Sequence, residues 1–153
     1  MKWALSILCF FFFAIAIGQQ DSVPSLSAEQ AKRVVSEISK YAGLSPSFVV
    51  REDADVRTAV AYIKSNDRYI AFNPKELGRI NFETGTRWAS ISIFAHEIAH
   101  HLMGHTLDVR NLGPGDELAC DKFSGFILNA MGATEEEAIA AIQAVGPPKP
   151  GSI

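Results

Sequence analysis

Residues 88–105 read WASISIFAHEIAHHLMGH. Trp88, Ile91, Phe94 and Ala95, then Ile98, Ala99 and Leu102, recur at the spacing of one helix side, and Gly104 supplies a stop. A helix with flanks this apolar lies inside a core. All four histidines of the chain, His96, His100, His101 and His105, fall within its last ten residues. Positions i and i+4 share one helix face, so His96 and His100 can bind a single metal ion. Glu97 sits beside them, where it can take a proton from a metal-activated water. The H-E-x-x-H pattern His96-Glu97-Ile98-Ala99-His100 therefore points to zinc-dependent hydrolysis, most of all of peptide bonds.

Two histidines do not complete such a site, because a catalytic zinc usually has three protein ligands and one open position. A third histidine in the register H-E-x-x-H-x-x-G-x-x-H needs Gly at 103 and His at 106, where the chain has Met103 and Thr106. His105 could bind only if the chain turned back sharply after Gly104. Glu117 is the better candidate: it opens a helix expected over residues 116–130, and the loop before it, with Gly113-Pro114-Gly115, lets that helix fold back. Asp121, four residues on, lies on the same face and is placed to accept the free ring N–H of a ligand histidine.

Before the histidine helix, Arg68 to Asn73 and Thr58 to Lys64 read as strands joined at Ser65-Asn66-Asp67, with Phe48-Val49-Val50 as a further extended segment. Such a hairpin can be purely structural, or its edge can hold an extended substrate backbone. Residues 75–85, with Gly78 and Gly85, read as a loop. Ser27-Ala28-Glu29-Gln30 is a capping-box pattern that starts a helix over 28–42, stopped at Gly43. After a stop at Gly132, Thr134 caps a last helix to about residue 144, and Glu135, Glu136 and Glu137 favour the positive end of its dipole.

The stretches HEIAHHLMGHTL (96–107) and ELACDKFSGF (117–126) resemble the gluzincin metallopeptidases that include the CAAX prenyl proteases and HtpX, and in particular their small exported bacterial members. Residues 68–74, RYIAFNP, are similar to the strand that precedes the metal helix in that family. The likeness spans about residues 68–142. It implies a zincin-like domain with one Zn2+ held by His96, His100 and Glu117, Glu97 as general base, and Asp121 supporting a ligand histidine. Cys120 departs from the usual Ala of E-x-x-A-D; a small buried cysteine suits packing, and a thiolate ligand is the alternative. The family's His-Pro-containing segment has no match in this sequence, which leaves the oxyanion-stabilising group open among Tyr41, Tyr62, Tyr69 and His101.

The whole chain has 153 residues, enough for one domain with a modest core. Met1-Lys2, the apolar run Trp3–Ile17 and the small residues before Gln19 read as a signal peptide over 1–18. An uncut anchor is the alternative, though this run is shorter than the ~20 residues that cross a bilayer. Without that segment, 13 basic residues face 17 acidic ones, and no basic stripe suggests nucleic acid. Cys120 is then the only cysteine, so the chain has no internal disulfide. Residues 19–26 read as a linker, 27–145 as the metallopeptidase domain and 146–153 as a proline-rich tail. The expectation is an α+β domain, with helices on a short antiparallel sheet or hairpin. It is exported to the periplasm or beyond, acts on polypeptide, and touches membrane only if the leader stays attached. A catalytically silent zinc-holding or peptide-binding domain is the alternative.

Overall fold

The computed structural model describes residues 24–45 and 47–145, so the expected leader over 1–18 and tail over 146–153 lie outside the described residues. The capping box forms as the sequence predicts: Gln30 N–H donates to the Ser27 hydroxyl at 3.3 Å and Ser27 N–H to the Gln30 side chain at 2.8 Å. Helix α1 therefore runs over Ala28–Tyr41. Strands β1 (Phe48–Glu52), β2 (Ala59–Lys64) and β3 (Asp67–Phe72) follow. Ser65 and Asn66 both take positive φ, the conformation of a two-residue hairpin turn, and join β2 to β3 antiparallel. The sheet order is β1-β3-β2, with β1 parallel to β3. The expected sheet was antiparallel throughout; the mixed sheet arises because β2 turns back between β1 and β3, which leaves those two strands running the same way.

Residues 75–85 are not the expected loop. Helix α2 spans Pro74–Thr84. Asn73 caps it by accepting from Glu76 N–H at 3.2 Å, Pro74 fits the first turn, and Gly85 closes it in the left-handed conformation. Gly78 was taken as a breaker, but it lies mid-helix because the backbone of Pro24 and Ser25 presses against it. An added Cβ would collide with the Pro24 carbonyl oxygen and stand 2.8 Å from the Ser25 Cα.

Helix α3 (Trp88–Leu102) is the centre of the molecule. Eleven of its fifteen residues are buried, so it is enclosed rather than amphipathic at a surface. It touches α1, α2, β2 and β3, and also helices α4 (Pro114–Ala130) and α5 (Glu135–Val145). Phe94 meets Phe72 of β3 edge-on at 5.6 Å, in a core that also holds Ile38, Ile70, Leu77, Ile91, Ile98, Ile127 and Leu128. Among the described residues the architecture is thus five α-helices on a small three-stranded sheet, an α+β fold as the sequence predicts. No described helix is long and apolar enough to cross a membrane.

The two mid-helix glycines separate cleanly. Gly78→Ala should destabilise by about 1–3 kcal/mol through overpacking. Gly125→Ala, whose Cβ would meet Ile142 at an ordinary 3.8 Å, should be neutral or stabilising by up to about 1 kcal/mol. Urea midpoints measure both, and equal shifts would refute the close approach at Gly78.

Candidate metal centre

Small residues let α3 and α4 pack closely and antiparallel. Ser92 and Ser124 meet inside the interface, hydroxyl to hydroxyl at 2.9 Å, and the Ser124 hydroxyl also reaches the Ser92 carbonyl at 3.1 Å. One turn further along α3, His96 faces Glu117 and Asp121 of α4. The N-terminus of α4 is set by Pro114 and by Asp116, whose Oδ2 accepts from Gly113 N–H at 2.8 Å.

The two imidazoles bring Nε2 atoms together at 3.1 Å. Glu117 Oε2 lies 3.2 Å from His96 Nε2, and its Oε1 lies 3.7 Å from His100 Nε2. Tetrahedral zinc with N and O ligands separates neighbouring ligand atoms by about 3.3–3.5 Å. The three groups predicted from sequence therefore converge at ligand spacing. Asp121 also falls where expected: its Oδ1 sits 2.9 Å from His96 Nδ1, so that nitrogen carries a proton and Nε2 offers a lone pair. A doubly protonated His96 would serve both carboxylates but would leave His100 Nε2 contending for the same N–H. A cation at the common point satisfies all three groups at once, so the donor set fits zinc.

The site is only partly covered. The His96 and His100 side chains are 20% and 11% exposed, and Glu117 is 32% exposed, so the open side is that of the α4 carboxylates. Burial, then the neighbouring histidines, push His100 down to about 4, which keeps its ring neutral and able to ligate. Glu97 turns towards the sheet, and its Oε2 accepts from the backbone N–H of Ala61 in β2 at 2.7 Å. Burial raises its carboxyl to about 8; the Ala61 N–H opposes this and the Glu117 carboxylate adds to it. A cation between the histidines would pull it back down.

The other sequence candidates sort by geometry. The chain does turn back after Gly104, which takes φ 79°, and this brings His105 to the site. It arrives on the far side of His100, Nδ1 to Nδ1 at 3.2 Å, and not among the Nε2 atoms. Sequence reading missed that contact, although the glycine before His105 is the signal for such a reversal. Cys120 is buried and belongs to a group with His96 and His100 in which all candidate ligand atoms lie within 4.8 Å. Burial and four surrounding carboxylates push its thiol up to about 12. Cys120 stands beside Glu117 as a candidate third ligand. His101 is committed elsewhere, its Nε2 donating to the Tyr69 carbonyl at 2.8 Å and its ring lying 5.4 Å from that of Phe48. Tyr62 and Tyr69 stack on each other at 5.1 Å, on the opposite sheet face from buried Ala61 and Ile70. Tyr41 is exposed at the end of α1. The missed link from Glu97 to Ala61 has no sequence signal, since any residue could supply that N–H.

No protein-family model, curated protein or solved structure matches this chain.

Elemental analysis of purified protein should find about one zinc per chain. Glu117→Ala should lose it and Cys120→Ala should keep it. The reverse pattern would make Cys120 the third ligand and Glu117 a bystander.

Proposed function

We propose that the domain is a zinc-dependent endopeptidase of the gluzincin type, with one Zn2+ held by His96, His100 and Glu117 and with Glu97 as general base. The observation that carries this reading is the convergence of the two Nε2 atoms and the Glu117 carboxylate at 3.1, 3.2 and 3.7 Å, next to a half-buried carboxyl, Glu97, that is no part of the set. A site built only to hold metal needs no such base and closes with a fourth ligand.

When bound, zinc would supply Lewis-acid polarisation of the scissile carbonyl and a more acidic water. The chain's own residues do the rest. Glu97 takes a proton from the attacking water and delivers it to the leaving amine. Asp121 holds His96 in the tautomer that leaves Nε2 free. The edge strand β2 offers a place for the substrate backbone. Ala61 turns its N–H away from β3 and gives it to Glu97, and Ala59 and Ile63 turn their backbone groups to the same edge, which pairs with no further strand among the described residues. An extended polypeptide pairing there would lie alongside the histidines. The substrate class is therefore unfolded or extended polypeptide. The leader read over 1–18 adds an exported location to this proposal, with membrane attachment only if it is retained.

A second reading follows from Cys120, which groups with His96 and His100: with Glu117 added, the four would be the ligands of a closed, non-catalytic zinc site. Glu97→Gln distinguishes the two. It should keep zinc and lower the hydrolysis of an unfolded protein or peptide library by about 10²–10⁴-fold. Undiminished hydrolysis by pure Glu97→Gln protein would remove Glu97 from catalysis. Zinc-loaded wild type that cleaves nothing, and that loses its metal in Cys120→Ala, would establish the closed site.

A further inference from the structure

His96 has Asp121 behind it, and the corresponding support for His100 is a longer path. His100 Nδ1 lies 3.2 Å from His105 Nδ1, and His105 Nε2 lies 3.4 Å from Asp116 Oδ1. Asp116 is itself fixed by the Gly113 N–H that its other oxygen accepts at 2.8 Å. The His105 side chain is 12% exposed and that of Asp116 41%, so the path runs from the covered His100 ring out to the surface.

We infer that His105 is a positioning residue for the metal centre, accepting the Nδ1 proton of His100 and passing the polarisation on to Asp116. The inference rests on the zinc reading above and goes beyond its ligand set. The proton positions follow from counting. His100 can present Nε2 to a metal only if its proton is on Nδ1. That N–H then points at His105 Nδ1, which must be a lone pair. The His105 proton is therefore on Nε2, the nitrogen that lies at ion-pair distance, 3.4 Å, from the Asp116 carboxylate. Each ligand histidine is then backed by a carboxylate of α4: directly by Asp121 for His96, and through one imidazole by Asp116 for His100.

Two features make this arrangement specific. The left-handed turn at Gly104 is what swings His105 back over the end of α3, so the contact is built by the backbone and does not depend on a mobile side chain. Asp116 immediately precedes Glu117. The same residue that receives His105 thus sets the start of the helix that delivers the third ligand. Among the described residues, the only other polar side chain at His105 Nδ1 is the Cys120 thiol at 3.5 Å, a weak donor that competes for the same lone pair.

The test uses the whole chain and zinc itself, with Kd measured by competition against a chromophoric chelator. His105→Ala should weaken zinc about 10–100-fold, the usual size of losing such a partner. His105→Asn places a carbonyl oxygen near the old Nδ1 and should recover most of that loss. Cobalt substituted for zinc should show a shifted visible spectrum in His105→Ala and a near wild-type one in His105→Asn. In zinc-loaded wild type, long-range proton–nitrogen NMR should find His105 protonated at Nε2. A His105 proton on Nδ1, or unchanged zinc affinity and cobalt spectrum in His105→Ala, would overturn the inference and leave the zinc site intact. Wild type that binds neither metal would overturn the proposed function, and this inference with it.

Discussion

The antiparallel contact of α3 with α4 is the constraint on which the rest of the structure depends. Along it, Ser92 meets Ser124, His96 meets Asp121 and Glu117, His100 meets Glu117, and His105 meets Asp116. These pairs form one register. A slip of α4 by one turn would move Glu117 by about 5.4 Å and leave the histidine pair without its carboxylate. The hydroxyl contact between Ser92 and Ser124 opposes such a slip, because separating two buried hydroxyls leaves each without a partner. The remaining elements serve this pair. The sheet and α1 cover one side of α3, α2 and α5 cover others, and the turn after Gly104 and the cap at Asp116 determine where α4 begins.

The charges at this contact are poised for a cation. Burial disfavours the charged forms of both His100 and Glu97, and drives the first to about 4 and the second to about 8. Near neutral pH the interior side of the site is therefore a cluster of uncharged donors and acceptors, with the carboxylates of Glu117 and Asp121 on the more exposed side. Bringing polar groups inside without a shared partner costs stability. On the proposed reading, a divalent ion would change the balance of every group at once: it would take the lone pairs of both imidazoles, neutralise Glu117 and favour the ionised form of Glu97.

Much of this was legible in the sequence because it is carried by fixed spacings. His96 and His100 at i, i+4, Glu117 and Asp121 at i, i+4, the capping box at Ser27 and the glycine stops all act over one turn of chain, where residue type determines geometry. The misreadings have a common origin in contacts between distant segments. Gly78 looked like a breaker, and only the entry segment at Pro24 explains a glycine inside α2. The direction of β1 depends on which strand it pairs with, and alternation of apolar residues says nothing of that. The reversal at Gly104 is the condition the sequence sets for His105 to reach the site, and the chain meets it, but the side of His100 on which His105 arrives depends on tertiary packing. The hydrogen bond from Ala61 to Glu97 was beyond reach, because a backbone N–H carries no sequence mark.

That last bond ties the sheet to the chemistry on the proposed reading. One N–H cannot serve two acceptors well, and Ala61 N–H, the outward donor beside the site, is already held by Glu97 at 2.7 Å. A peptide that paired fully with the β2 edge would contend for it. A hydrogen bond to a charged acceptor contributes about 1.5–3 kcal/mol, so an incoming neutral carbonyl does not displace an ionised Glu97 without other gains. Pairing through Ala59 and Ile63 leaves the Ala61 donor with Glu97 and places the peptide on the same edge. In that arrangement the base keeps its fixed position throughout, and the edge strand that receives the substrate also orients the group that acts on it.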